Sequence, residues 1–291
     1  MSIDLETLTD EAFRDLPLVI EGESKEIRYG GGGQVVIRFK PTIYSFSANR
    51  AGVVEGSDVL RLRASRVFRR VLEAAGIRHG YREVTDRWVL ADLCLHPPTQ
   101  ADPEPFRPGD LTPRALAALP VAPPIEVVIK RMHSGTSKHR YFGMSGYPVR
   151  ADHPLCAGFA FGPDDAYPEP IVRFDWRNPL TDGKGNRLAD EVLCDPVADW
   201  YIDTDLARKT ALRVFDALTD FLNERDVVCY DLCLFITQDG RTVFGEISQD
   251  CGRYRHFDLG SLDKDVWRAG GSSDQVMEKW RLLAEVVEAG P

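Results

Sequence analysis

Apolar positions in this chain alternate with polar ones in short runs, then shift to helical spacing, then shift back. Leu18-Val19-Ile20 and Val35-Val36-Ile37-Arg38-Phe39 read as two strands. The segment 21–34 joins them through Gly30-Gly31-Gly32-Gly33, a permissive hairpin tip that could also serve as a lid over a ligand. Over 58–75, Val59, Leu62, Val67, Phe68, Val71, Leu72 and Ala75 fall on one helical stripe, which stops at Gly76. Residues 88–95 return to strand patterning. The stretch 97–124 is proline-rich and predicts a loop, with a short helix at 114–119. Ile125-Glu126-Val127-Val128-Ile129 is a strand, and a boundary between two lobes, 1–130 and 131–291, is expected just after it. Residues 143–201 are rich in Gly, Pro and Asp and read as loops over a site. A helix at 206–223 follows, then a hairpin of 227–236 with 241–247 around Gln238-Asp239-Gly240, and a last helix at 274–288 carrying Val276, Trp280, Leu283 and Val287.

Composition narrows the class. A chain of 291 residues with 43% apolar and 28% charged residues is globular, and long enough for two lobes sharing a cleft. Its net charge of −9 repels nucleic-acid duplexes and anionic membranes in bulk, so neither is an expected partner, although a local basic pocket is allowed. No apolar run is long enough to span a bilayer, and Met1-Ser2-Ile3-Asp4-Leu5-Glu6 has no leader character; the expected location is the cytoplasm. The six cysteines (94, 156, 194, 229, 233, 251) include no Cys-x-x-Cys pair and read as free thiols, mostly buried. The sequence leaves a homo-oligomer open.

The candidate chemistry gathers late in the chain. Gly245-Glu246-Ile247-Ser248-Gln249-Asp250-Cys251-Gly252-Arg253 and Asp263-Lys264-Asp265-Val266-Trp267-Arg268 deliver acids and arginines together, a set able to hold a cation and fork onto an anion. Asp231, Cys233 and Phe235 share one face of their strand. With Asp239-Gly240 as the turn, Cys233 stands opposite Glu246 and Asp231 opposite Ser248, so Asp231 and Glu246 point to one side as a pair or as metal ligands. Lys25, three residues after Gly22, is either a phosphate-binding point charge or a solvated lysine beside Glu23.

These patches, in this order, resemble the phosphoribosylaminoimidazole-succinocarboxamide synthase (SAICAR synthetase) family over most of the chain. Gly22-Glu23-Ser24-Lys25 looks like the family's Gly-Lys-Ala/Ser-Lys strand entry. Pro124-Ile125-Glu126 through Lys130, with Gly135-Thr136, is similar to Pro-x-Glu-x-x-x-Arg-x-x-x-x-Gly-Ser. Ser248–Arg253 looks like Ser/Thr-Pro-Asp-x-Ser-Arg, and 263–268 like Asp-Lys-Asp-x-x-Arg. The departures lie on the nucleotide side. The Asp-x-Lys-x-Glu strand is Asp231-Leu232-Cys233-Leu234-Phe235, and the family's Asp-Glu pair is Gly245-Glu246. The pattern is that of a divergent member.

The resemblance implies an α+β, two-lobed fold, with an N-terminal antiparallel sheet lobe, a C-terminal α/β lobe and ATP in the cleft between. It implies an ATP- and Mg²⁺-dependent carboxylate–amine ligase acting on a ribotide carboxylate and an amine donor. Gly22, Ser24, Lys25, Glu126 and Asp231 would meet the nucleotide and Glu246 the magnesium. Lys130, Gly135, Thr136, Asp250, Arg253 and Arg268 would meet the substrate, and Asp182 and Arg177 would be catalytic. The residues alone leave blander roles open: Arg253 and Arg268 as surface ion-pair partners, Asp182 as a turn residue. A small-molecule kinase on the same general fold and a non-catalytic ribotide-binding protein are the rival readings. The missing Asp-x-Lys-x-Gly signature argues against the kinase, and Cys233 and Phe235 argue for the binding protein.

Overall fold

A computed structural model describes residues 3–45, 48, 50–99, 102–134, 144–177, 188 and 190–289. The Thr9 hydroxyl accepts the Ala12 N–H and starts a short helix, α1 (Asp10–Asp15). A meander follows: β1 (Leu18–Glu21), β2 (Lys25–Gly31) and β3 (Gln34–Phe39). β4 (Thr42–Ser45) and β5 (Arg50–Val53) form a separate ribbon, and α2 (Ser57–Ala74) leads to β6 (Tyr81–Val84) and β7 (Trp88–Asp92). The first sheet has the order β1-β2-β3-β7-β6 and is antiparallel throughout. The expected glycine-rich tip is the β2–β3 turn, where Gly31, Gly32 and Gly33 all take positive φ. Asp110 pins it by accepting from the Gly32 N–H (3.0 Å) and the Tyr29 hydroxyl (2.6 Å). The tip lies at the opposite end of β2 from Lys25, about 20 Å away at the rise of an extended strand, so it is not a lid over a ligand at Lys25.

The proline-rich stretch holds one short helix, α3 (Pro113–Ala117), capped by Thr112. The second half then runs β8 (Ile125–Met132), β9 (Ala166–Trp176), β10 (Glu191–Leu193), α4 (Asp195–Ala198), α5 (Thr204–Asn223), β11 (Val227–Leu234), β12 (Gly252–His256), β13 (Gly260–Ser261), α6 (Asp265–Arg268) and α7 (Ser273–Glu288). Its sheet has the order β10-β9-β8-β11-β12-β13, again antiparallel. β8 sits between β9 and β11, so a boundary after residue 130 would cut a strand of the second sheet; the pairing favours a division before Ile125.

The second sheet has two unlike faces, because side chains alternate along each strand. Ile125, Val127, Ile129, Val172, Phe174, Leu232 and Leu234 point to α5 and pack on Ala207, Ala211, Val214, Phe215 and Leu218. Glu126, Lys130, Arg173, Asp175, Asp231 and Cys233 occupy the alternate positions, and the strand register lines them up across the sheet. Helix α2 ties the molecule together. Its Leu62 enters the core of the first sheet, Ala64, Phe68 and Leu72 enter the core of the second, and Leu60 joins Trp267, Val276 and Trp280 beneath α7.

The hairpin expected from 227–236 and 241–247 is only a stub. Ile236 bridges Val243, and the Phe244 N–H donates to the Phe235 carbonyl, but the neighbour of β11 along its length is β12. Asp231 therefore stands opposite Arg253 and Lys130 rather than Ser248, and the Cys233 N–H donates to the Cys251 carbonyl. The turn itself is tight: Gly240 has φ +71°, and a Cβ there would lie 2.6 Å from the Ala207 nitrogen at the start of α5. Gly240→Ala should cost about 2–4 kcal/mol from left-handed strain plus overpacking against backbone. A chemical-denaturation midpoint close to wild type would show that α5 shifts at little cost.

Candidate functional site

Two charged clusters meet where the chain passes from residue 246 to residue 253. The first joins the lobes. Arg61, fully buried on α2, donates from Nε to Glu246 Oε1 (2.7 Å) and from Nη2 to Oε2 (2.6 Å). Lys25, at the start of β2 and a quarter exposed, reaches Glu246 Oε2 at 2.6 Å, and the Ser248 hydroxyl donates to Oε1. Burial alone would raise the Glu246 pKa, but Arg61 and Lys25 overcome it and hold the carboxyl far below its usual range. The Asp250 N–H donates to Ser248 Oγ, and the Asp250 carboxylate faces Lys264 at 2.8 Å. Both Lys25 and Arg61 lie over the Phe39 ring, at 4.9 and 4.8 Å from its centroid.

The second cluster lies on the polar face of the second sheet. Asp231 accepts from Lys130 Nζ (3.0 Å) and from Arg253. Arg253 Nε also reaches Asp265 (3.2 Å), which is further held by Arg255 and Arg268, each at 2.5 Å. Burial opposes ionisation of Asp231, yet Arg253 and then Lys130 bring its pKa below the ordinary value. Asp263, fully buried, accepts the Tyr254 and Asp265 N–H groups and pairs with Arg255, fixing α6 against β12. Toward the other edge Arg173 donates to Asp175 (2.8 Å), and Arg177 lies exposed over the Phe235 ring, 5.1 Å from its centroid. Burial pushes the Glu126 carboxyl up; Arg177 partly offsets this, while Asp190 and Asp175 add to it.

The expected residues thus divide into groups. Lys25, Glu246 and Asp250 come together at the lobe junction, with Gly22 and Ser24 in the β1–β2 turn just before Lys25. Lys130, Asp231, Arg253 and Arg268 come together on the polar face, and Glu126 and Arg177 share its far side. Asp182, Gly135 and Thr136 lie outside the described residues. Three expectations change. Lys25 pairs with Glu246, not Glu23. Asp231 and Glu246 do not face each other; each has its own cations. Glu246 is engaged by Arg61 and Lys25 rather than presented to a magnesium ion. Both Glu246 oxygens are occupied by the donors of Arg61, Lys25 and Ser248, so Glu246 as it stands does not fit a magnesium ligand, and among the described residues no group of three or more His, Cys, Asp or Glu side chains lies together to hold a metal ion.

Arg61 is the residue that sequence reasoning passed over. A signal existed: it stands three, four and seven positions before Ala64, Ser65 and Phe68, on the helix face that is buried. The thiols vary in setting, Cys229 buried and Cys194 exposed, and all are free.

No protein-family model matches the chain. The phosphoribosylaminoimidazole-succinocarboxamide synthase of Thermococcus kodakarensis is 25% identical over 279 residues, covering 94% of this chain and 98% of its own. The bifunctional cordycepin biosynthesis cluster protein 3 of Cordyceps militaris is 28% identical over 323 residues, and the chain spans about a third (33%) of its length. Among solved structures, the phosphoribosylaminoimidazole-succinocarboxamide synthase of Ehrlichia chaffeensis superposes with a TM-score of 0.68 at 18% identity, covering 94% of this chain and all (100%) of that one. A SAICAR synthetase in complex with ADP gives 0.67 at 21%, covering 94% and 99%. The chain is a divergent relative of the SAICAR synthetases. It has the SAICAR synthetase-like fold, two-lobed and α+β.

In this SAICAR synthetase relative, Asp231 holds two buried cations, so Asp231→Asn should destabilise by about 3–5 kcal/mol, mostly from leaving Lys130 and Arg253 unpaired. Urea denaturation measures this. Glu246 and Asp231 have depressed folded pKa values, so their contribution is full above the ordinary carboxyl values of 4.5 and 3.8 and is lost as pH falls below them. Stability should therefore decline below about pH 4.5. The raised Glu126 and Asp263 work the other way: burial favours their neutral forms, so each gains stability on protonation above its own ordinary value of 4.5 or 3.8. A urea midpoint constant down to pH 3 would contradict the charge assignments.

Proposed function

We propose that the protein is an ATP-dependent ligase that joins a carboxylate to an amine. A carboxylate oxygen attacks the γ-phosphorus of ATP and ADP departs. The amine then attacks the acyl carbon, phosphate leaves with its electron pair, and the amine gives up a proton. Activation is needed because a free carboxylate has no adequate leaving group. The end-to-end match with SAICAR synthetases carries this reading. The finer assignment is a small, phosphoribosylated heterocyclic carboxylate, with aspartate or another amino acid as amine donor, in purine or specialised nucleoside biosynthesis. The names of the Thermococcus kodakarensis and Cordyceps militaris relatives support it.

Lys25, with part of its side chain exposed at the lobe junction, suits the nucleotide phosphates as a point charge, with Gly22 and Ser24 beside it. Arg268 keeps a fifth of its side chain exposed, whereas Arg253 is spent on Asp231 and Asp265. Arg268 is thus the better candidate fork for a substrate anion, and Arg177 suits a second contact from the far side. Lys130 and Arg253 then act mainly by holding the polar face cationic and fixed, a preorganised electrostatic environment. The second reading, a ribotide-binding protein without turnover, draws on Cys233 and Phe235 and on the closed state of Glu246.

Incubation with ATP, Mg²⁺ and a panel of ribotide carboxylates and amino acids should yield ADP, phosphate and an amide detectable by mass, only when both co-substrates are present. No nucleotide binding by calorimetry at millimolar Mg·ATP would leave the binding protein standing instead. Arg268→Lys keeps the charge but loses the fork, and should raise the carboxylate KM about tenfold while sparing the ATP KM. An unchanged carboxylate KM would make Arg268 only the partner of Asp265.

A further inference from the structure

The charge balance at Glu246 is not that of a metal ligand. Both carboxylate oxygens are taken: Oε1 accepts from Arg61 Nε and the Ser248 hydroxyl, and Oε2 from Arg61 Nη2 and Lys25 Nζ. Four donors fill the lone-pair positions that a carboxylate has. The neighbouring position offers no second acid, since it is Gly245, and Asp250 is matched by Lys264. Lys25, Arg61 and Lys264 against Glu246 and Asp250 leave a net charge of +1, where a divalent ion seeks converging anionic oxygens. Arg61 cannot readily withdraw. It is fully buried, its Nη1 donates to the Lys40 carbonyl (3.2 Å), and its helix is packed into three cores.

We propose that the Arg61 guanidinium takes the place of a protein-held divalent cation at Glu246, and that Glu246 is a positioning residue that aims Lys25 at the nucleotide phosphates. The inference rests on the reading of Lys25 as a nucleotide contact. A guanidinium neutralises a carboxylate with two parallel hydrogen bonds, fixes its plane, and needs no hydration shell. Lys25 is thereby held at the edge of the pair by Glu246 Oε2, exposed on its outer side and oriented before any ligand arrives. Any divalent ion the reaction uses would have to be held by the phosphates and not by Glu246, whose oxygens are filled. Any role of Arg61 is exercised through Glu246 and Lys25.

The test uses the full chain. Mn²⁺ titration without nucleotide, read by electron paramagnetic resonance, should show no protein-bound ion up to about 1 mM, the weak end of divalent sites. ADP affinity in EDTA should fall about tenfold in Lys25→Met, the scale of one charged hydrogen bond, and by a similar factor in Glu246→Gln. Should Glu246→Gln fail to fold, Lys25→Met and the wild-type titration carry the test, since Lys25 is partly exposed. Stoichiometric Mn²⁺ binding by wild type that disappears in Glu246→Gln would overturn the proposal, as would Lys25→Met with unchanged ADP affinity in EDTA. Wild type that binds no ADP under any condition would defeat the nucleotide reading and the role of Lys25 together. Absence of ADP binding with tight Mn²⁺ binding would refute the cation replacement separately.

Discussion

The pair of Arg61 and Glu246 is the interaction on which the arrangement depends. It is buried on both sides and crosses from a helix of the first half to the segment that ends in β12. Such a pair gives little net stability against water, because each ion is desolvated to make it; losing one partner, however, strands the other in a low-dielectric interior. That asymmetry makes the pair a strict specification of geometry. With it in place, the path from Glu246 through Ser248 and Asp250 to Arg253 has one course, and Asp231 receives Arg253 in one register.

The polar face of the second sheet follows the same logic. A half-sheet of charged side chains beside a packed core survives only if nearly every charge has a partner, and the partners here are shared. Asp231 serves Lys130 and Arg253, and Asp265 serves Arg253, Arg255 and Arg268. Sharing leaves more cations (Lys130, Arg253, Arg255 and Arg268) than acids (Asp231, Asp263 and Asp265) among these residues, so the cluster is locally cationic in a chain of net charge −9. The sheet's other face supplies the rigidity that holds these side chains at fixed separation.

Much of this was legible in the sequence. The stripes over α2, α5 and α7 gave those helices nearly to the residue, because the helical period repeats over several turns. β9, the longest strand, was not legible: Pro168 and Pro170 disguise its first half within a loop-like stretch. The partner of β11 was misjudged because the Asp239-Gly240 turn does form, but its ladder stops after Ile236 and Val243, and β12 supplies the pairing. Local turn chemistry cannot tell how far a hairpin will zip. The acids and arginines of 246–268 stand in two adjoining clusters, and which cation each acid takes depends on contacts across nearly two hundred residues, as with Arg61 and Glu246. Spacing along one helix can place Arg61 on a buried face; it cannot say what waits there.

Helix α2 carries a last implication. A helix that contributes side chains to both sheet cores and to the layer under α7 makes the two lobes unequal to independent life. Cutting the chain in the proline-rich stretch would leave the second core without Ala64, Phe68 and Leu72 and the first half with those groups exposed to water. The two halves are therefore one cooperative unit, since neither core is complete without the helix that the other also uses.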